Sequence, residues 1–275
     1  MKIKDYLRTD FFPNVWCAGC GNGIVLRSTL EAIKSLEIPK DEIAMVSGIG
    51  CSSRATGYVD FHTIHSLHGR AIPVAIGVRA AKPNMKVLVI TGDGDCSSIG
   101  GNHLIHAARR NIDLTVIVFN NEIYGMTGGQ VSPTTPYAAR TTTTPLGNPE
   151  KSFDICSLVM GAGATFVARG TVFHVHQLIK FIKEAINHKG FSLIDVVTPC
   201  PVYYGRMNRY EDGITMIKEI KEKAVTVEKA RSLSENELEG KTVIGLLKKE
   251  EKDEFLQSYL SFYNTKKEAS DGTAV

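Results

Sequence analysis

The 275-residue sequence predicts an α/β fold, a parallel sheet with helices on both faces. Three observations carry this expectation. Runs such as "KVLVITG" and "LTVIVFN" are continuously apolar, as strands buried on both faces must be. Stretches with apolar residues at helical spacing separate them. Glycine-rich or asparagine-rich turns follow the strands, at the strand ends where an open parallel sheet binds ligands.

In chain order, residues 24–36, "IVLRSTLEAIKSL", read as a helix that ends before Pro39. "EIAMVSGIG" is a buried strand running into a turn that delivers Cys51. "HGRAIPVAIGVRAAKP" is a small-residue helix closed before Pro83. "KVLVITGDGD", the helix "HLIHAARRN" and the strand "LTVIVFNNE" follow. "ATFVARG", the helix "FHVHQLIKFIKEAINHKG" and the strand "FSLIDVVTPC" repeat the order. Residues 1–205 are expected to form one ligand-binding domain. Residues 206–275 are expected to be a charged helical extension with little β signal, resting on the core or on a partner, from "MIKEIKEKAVTVEKA" and "KKEEKDEFLQSYLSFYNTKKE". The last six residues, "SDGTAV", are expected to be disordered.

Composition excludes several classes. Apolar residues make up 43%, enough for a large core, and a net charge of +3 is too small to argue for nucleic acid. There is no apolar run of membrane-spanning length, and "MKIKDYLRTDFFPN" lacks the apolar region of a secretory signal. The expectation is therefore a cytoplasmic chain. There its six cysteines, Cys17, Cys20, Cys51, Cys96, Cys156 and Cys200, are free, metal-bound or catalytic.

The most informative pair of motifs is "GDGD", Gly92 to Asp95, and "NN", Asn120 and Asn121. Glycines at a strand end let backbone N–H groups approach a phosphate, and the following helix favours negative charge. Asp93 is an anion at such a site, which makes sense if a divalent cation bridges it to phosphate. Mg²⁺ is hard and oxygen-liganded, and Asn121 and the Ile123 carbonyl could complete its protein ligands. The motif is not a P-loop, because no Gly-Lys-Ser/Thr follows. A GDG followed at this distance by NN resembles the thiamine diphosphate motif.

The pair in "VWCAGCGNG", Cys17 and Cys20, can begin a zinc site, a redox disulfide or an iron–sulfur cluster; four cysteines alone favour zinc, and no strong strand precedes the pair as a thioredoxin-type disulfide requires. The blocks "WCAGCGNG", "SGIGCSSR", "HGRA", "GDGDCSSIGGNH", "ARRNID" and "NNEIYGMTGGQVSPTTP" together resemble the β subunit of a 2-oxoacid:ferredoxin oxidoreductase, over residues 15–205. This implies a thiamine diphosphate-binding fold of the diphosphate-binding type. It implies one [4Fe–4S] cluster on Cys17, Cys20, Cys51 and Cys200, and Mg²⁺ on Asp93, Asn121 and Ile123. Cofactor contacts are implied at His68, Gly94, Asp95, Gly125 and Met126. Ile49, Gly50 and Ser52, flanking Cys51, could add backbone contacts. The implied reaction is oxidative decarboxylation of a 2-oxoacid with coenzyme A, giving acyl-CoA, CO₂ and reduced ferredoxin, or the reverse. The loop "YGMTGGQVSPTTP" favours 2-oxoglutarate, with branched-chain 2-oxoacids and pyruvate as alternatives. No second module is visible for the glutamate that thiamine enzymes set against the aminopyrimidine ring. The resemblance therefore implies an α-subunit partner, in an αβ or (αβ)₂ complex that can carry small extra subunits.

Other residues are weighed against plainer roles. Arg54, beside Cys51, and Arg140 are candidate cations for a substrate carboxylate. Some relatives carry a lysine in the "MTGGQ" loop where this chain has Gly128. Cys96 and Cys156 read as packing residues. His103 and His106 share a helix face without an accompanying carboxylate and read as packing, and His62 and His65 have no assigned role. The competing functions are a zinc-stabilised protein without catalysis and a non-oxidative thiamine carboligase. The short chain and the four cysteines count against the carboligase.

Overall fold

The computed structural model describes residues 2–271, with side chains through Tyr263. The strands are β1 (Ile43–Ser47), β2 (His62–His65), β3 (Lys86–Gly92), β4 (Leu114–Asn120), β5 (Phe166–Thr171), β6 (Phe191–Val197), β7 (Ala224–Thr226) and β8 (Thr242–Lys249). The helices are α1 (Asn22–Ser35), α2 (Ala55–Tyr58), α3 (Ala71–Ala81), α4 (Gly101–Arg109), α5 (Ile155–Ala162), α6 (Val175–Asn187), α7 (Gly213–Lys223), α8 (Val227–Ala230), α9 (Glu235–Leu238) and α10 (Phe255–Asp271).

The strands form one sheet in the order β2-β1-β3-β4-β6-β5-β8-β7. From β2 through β5 all neighbours are parallel, whereas β8 runs antiparallel to β5. Alternate residues of the central strands feed two core layers. Leu88 and Ile90 of β3 join Leu30 and Ile33 of α1 and Phe181 and Ile182 of α6. Val87 and Val89 face the opposite layer, with Ile72 of α3, Leu104 of α4 and Val159 of α5. Each such fully buried Leu, Ile or Phe contributes roughly 1.5–3 kcal/mol. The parallel arrangement puts the carboxyl ends of β1, β3, β4 and β6, adjacent in that order, on one edge.

The residues beyond 205 depart from the expected all-helical extension. Helices α7 and α10 form, but Ala224–Thr226 and Thr242–Lys249 are strands. β8 pairs with β5 from Phe166↔Lys249 to Arg169↔Gly245 and covers what would otherwise be an open edge of the parallel sheet. Of the last six residues, those from 272 onward lie outside the described residues. Among the described residues no helix is long and apolar enough to cross a membrane.

Candidate active site

β3 ends at Gly92 and delivers Asp93 into a nearly dry position, 2% exposed. Its Oδ2 accepts hydrogen bonds from the Ser132 and Thr134 hydroxyls, each at 2.6 Å. Burial still pushes the carboxyl up to about 6. The other carboxylate oxygen faces the end of β4. There one atom of the Asn121 amide lies 2.8 Å from the Ile123 carbonyl oxygen and 3.1 Å from Asp93 Oδ1. Taken as nitrogen, it donates to both. Taken as oxygen, it makes a set of three oxygens with no hydrogen between them, the donor set of a hard cation. An octahedron with bonds of about 2.1 Å has edges of about 3.0 Å, so the spacing suits Mg²⁺. Glu122 makes this spacing possible by adopting left-handed backbone, φ 61°, between Asn121 and Ile123. Its own side chain lines a separate cavity with Tyr204, Tyr210 and Lys223.

Asp95 is also buried, but its carboxylate is taken up by protein donors. The Gly69 N–H donates to Oδ1 at 2.7 Å and the Thr91 hydroxyl to Oδ2 at 2.8 Å. His68 Nδ1 lies 2.7 Å from Oδ1, an ion-pair distance without hydrogen-bond geometry. Asp95 thus ties the exits of β2 and β3 together. Gly94 has no room for a side chain, because a Cβ there would lie 2.3 Å from the Tyr124 ring. These groups surround a cavity of about 310 Å³. Ile49, Gly50, Cys51, Ser52, His68, Gly94, Asp95, Gly125 and Met126 all line it, together with Asp93, Asn121 and Ile123.

A second cavity, of about 230 Å³, shares Cys51, Asn121, Gly125 and Met126 with the first. Cys17, Cys20, Cys51 and Cys200 line it, brought there from three separate segments. The Cys17–Cys20 turn closes through the Cys20 N–H donating to Cys17 O at 3.0 Å. Cys51 follows β1, and the Trp16 indole N–H donates to its carbonyl at 2.7 Å. Cys200 follows β6, whose exit is held beside Asn120 by the Thr198 N–H donating to the Asn120 carbonyl at 2.9 Å. A Cβ on Gly125 would sit 3.5 Å from Cys200 Sγ and 3.6 Å from Cys51 Sγ, in ordinary contact with both, so Gly125 borders both sulfurs. Burial pushes the Cys20 thiol up to about 12 and the Cys51 thiol up to about 11, and the neighbouring cysteines push in the same direction. Occupation by iron or zinc would therefore have to displace protons.

Arg54 lines the cysteine cavity. Arg140 lines neither cavity; its backbone N–H donates to Asn208 Oδ1 at 2.8 Å, away from both. Cys96 and Cys156 are buried in the α3–α5 core layer. His103 and His106 line neither cavity. The reading of the sequence missed Ser132 and Thr134, the two hydroxyls on Asp93. Their signal was the "VSPTTP" stretch, which pairs hydroxyl side chains with a proline-stiffened turn.

Residues 48–196 match the family described as thiamine pyrophosphate enzyme, C-terminal TPP binding domain. That is the class of protein this fold and this pair of strand-end motifs define. The chain is 52% identical to the 2-oxoglutarate synthase subunit KorB of Methanocaldococcus jannaschii, over 92% of this chain and 93% of that one. It is 44% identical to the 2-oxoacid:ferredoxin oxidoreductase 2 subunit beta of Aeropyrum pernix, over 72% of this chain and 65% of that one. A solved structure, the 2-oxoglutarate:ferredoxin oxidoreductase of Magnetococcus marinus with 2-oxoglutarate, coenzyme A and succinyl-CoA bound, superposes with a TM-score of 0.86 at 33% identity. That match covers 96% of this chain and 90% of the other. The chain belongs to the family of thiamine diphosphate-dependent 2-oxoacid:ferredoxin oxidoreductase β subunits.

Proposed function

We propose that this chain, with an α subunit, oxidatively decarboxylates 2-oxoglutarate with coenzyme A and passes the electrons to ferredoxin, or runs the reverse carboxylation. The observation that carries this reading is the shared wall between the oxygen-ligand cavity and the four-cysteine cavity. An electron-rich carbon centre and an electron acceptor need that proximity. The choice of 2-oxoglutarate rests on the likeness to the KorB proteins and to the Magnetococcus marinus enzyme.

In this reading Asp93, Asn121 and the Ile123 carbonyl hold Mg²⁺, which anchors the diphosphate. Backbone groups at Gly94, Gly125 and Met126, with Ile49, Gly50 and Ser52, cradle the phosphates and the ring. His68 offers its ring to the cofactor. When bound, thiamine diphosphate supplies the carbon nucleophile and electron sink for decarboxylation. Arg54, which lines the cysteine cavity, is the cation for a substrate carboxylate. The ylid-forming glutamate comes from the α subunit, so the chain alone is inactive. The complex is αβ or (αβ)₂ and works in the cytoplasm.

Cys17, Cys20, Cys51 and Cys200 hold one [4Fe–4S] cluster. Four thiols set around a cavity favour a multi-atom cluster over a single zinc ion with bonds of about 2.3 Å. The test is iron, zinc and acid-labile sulfide per chain in the anaerobically purified complex, followed by a panel of 2-oxoacids with coenzyme A. About four irons and four sulfides, with 2-oxoglutarate as the preferred substrate, is the expected outcome. One zinc and no sulfide overturns the electron-transfer reading.

A further inference from the structure

The NN motif has two asparagines, and the oxygen set beside Asp93 uses only Asn121. Asn120 is buried and lines neither cavity. Its Nδ2 donates to Asp195 Oδ1 of β6 at 3.1 Å. Asp195 Oδ2 in turn accepts from Arg169 Nε of β5 at 2.8 Å, and the two residues are direct partners in the β5–β6 ladder. The Thr198 N–H donates to the Asn120 carbonyl at 2.9 Å, so β6 holds this residue by main chain and side chain. One arm of Arg169 therefore fixes the exit of β4 one residue before Asn121.

The other arm points to the loop that serves Asp93. Arg169 Nη2 donates to Asp154 Oδ1 at 2.5 Å. Asp154 caps α5, accepting from the Cys156 and Ser157 N–H groups at 2.9 and 3.2 Å. The two residues before it are stitched to residues 133 and 134. The Ser152 hydroxyl donates to the Thr134 carbonyl at 2.7 Å, and the Phe153 N–H donates to the Pro133 carbonyl at 2.9 Å. That loop carries the Ser132 and Thr134 hydroxyls on Asp93. Its Thr135 hydroxyl donates to the Glu122 carbonyl at 2.6 Å, in the turn between Asn121 and Ile123. Both arms thus end on the ligand set, one beside Asn121 and one on Asp93 and the turn.

The arrangement needs arginine. Nε and Nη2 are donors in one rigid plane and meet two carboxylates at once, whereas a lysine ammonium is a single mobile charge. The Arg169 side chain is 14% exposed and that of Asp195 2%, so water screens this arm little. The Asp154 side chain is 47% exposed, which makes the loop arm the weaker one.

We propose that Arg169 is a positioning residue for the divalent-cation site. It holds Asn121 through Asp195 and Asn120, and Asp93 through Asp154 and residues 132–135. The proposal rests on the reading of Asp93, Asn121 and the Ile123 carbonyl as the Mg²⁺ ligands.

The test uses the purified complex with Mn²⁺ as the probe in the presence of thiamine diphosphate. Kd is measured by calorimetry and the bound ion by electron paramagnetic resonance, with thermal midpoint and iron content recorded alongside. R169K keeps the charge and loses the fork. Its Mn²⁺ Kd is expected to weaken about 10-fold and the resonance of the bound ion to broaden, with iron content unchanged. D154N keeps a side chain that can cap α5 and removes the charge, and its Kd is expected to weaken about three-fold. A purely structural ion pair would lower the thermal midpoint and leave the Mn²⁺ Kd within about two-fold of native. That result in either variant overturns the proposal. So does an iron loss that matches the loss of Mn²⁺ affinity, since the damage is then general. If R169K does not fold or assemble, D154N decides alone between a three-fold loss and native affinity. A native complex that takes up no Mn²⁺ with thiamine diphosphate would sink the functional reading of the site and this proposal with it. Native uptake with unaffected variants sinks the proposal alone.

Discussion

The two cavities share a wall, yet they are assembled differently. Around Asp93 and Asp95 the polar groups already have protein partners: hydroxyls of Ser132 and Thr134 on one carboxylate, Thr91, Gly69 and His68 on the other. The two carboxylates are buried just beyond the end of β3, and the loop residues Ser132, Thr134, Gly69 and the half-buried His68 close on them. Around the cysteines, Cys17 and Cys20 sit on the segment before α1 while Cys51 and Cys200 follow β1 and β6; the four range from exposed to buried, and burial pushes the Cys20 and Cys51 thiols well above their ordinary range. Trp16 and the Cys17–Cys20 turn supply most of the local order. The carboxylate side is therefore organised before anything binds, whereas the cysteine side would gain order from any metal or cluster it takes up.

The largest expected effect comes from Asp93→Ala. Loss of a direct ligand should exceed the roughly 10–100-fold cost of losing a supporting partner, so Mg²⁺-dependent thiamine diphosphate binding by the assembled complex should fall more than about 100-fold in calorimetry. Retained affinity would mean that Asp93 is only a structural acid and would dissolve the contrast. Next comes Cys20→Ser. Iron and sulfide should be lost, and the segment before α1 should become sensitive to limited proteolysis. Thiamine diphosphate affinity should stay within a few-fold of native. If cofactor affinity falls as far as in Asp93→Ala, the two sides are one cooperative unit, not two.

The same contrast governs what was legible in the sequence. β1, β3, β4 and β6 are buried on both faces and read as continuous apolar runs, so their ends, and with them Cys51, Asp93, Asn121 and Cys200, could be placed on one edge. β2 and β8 could not be read this way. His62–His65 is an almost wholly exposed edge strand, and Thr242–Lys249 is half-polar and closes in lysines. Pairing with β5, not its own composition, makes β8 a strand. Ser132 and Thr134 were hidden for a related reason: a hydroxyl that serves a carboxylate 39 or 41 residues away leaves no local periodicity. Arg140 failed in the opposite sense. Its type suited a substrate carboxylate, but the tie to Asn208 carries it away from the cavities.

A smaller effect sharpens the picture of the organised side. Ser132→Ala removes one of the two short donors to Asp93 and leaves Thr134 in place. Mg²⁺ affinity should fall about 10-fold, near the low end for supporting partners, with the cysteine cavity's iron content unchanged. The double variant with Thr134→Ala should cost more than the sum of the two single changes, because the buried carboxylate would then have no hydroxyl donor. Simple additivity in a double-mutant cycle would show that the hydroxyls fill space instead of supporting the charge.

The smallest effect supplies the baseline against which the others are read. His188 lies outside both cavities, with its Nε2 2.7 Å from Thr165 Oγ1. Burial, with Lys249 nearby, lowers its pKa below 6.5. The unfolded chain then binds the proton more readily than the folded one, so stability is complete above about pH 6.5 and declines as pH falls toward the lowered folded value. His188→Gln removes this titration while keeping a side chain able to meet Thr165. Its thermal midpoint should therefore depend less steeply on pH between 6.5 and 5 than that of the native chain, with iron content and thiamine diphosphate affinity at neutral pH unchanged. An identical acid slope would show that the acid sensitivity originates elsewhere in the fold. A change in cofactor affinity would show that the far end of the sheet is coupled to the site, and the losses in the Asp93 and Cys20 variants could then no longer be assigned to their own cavities.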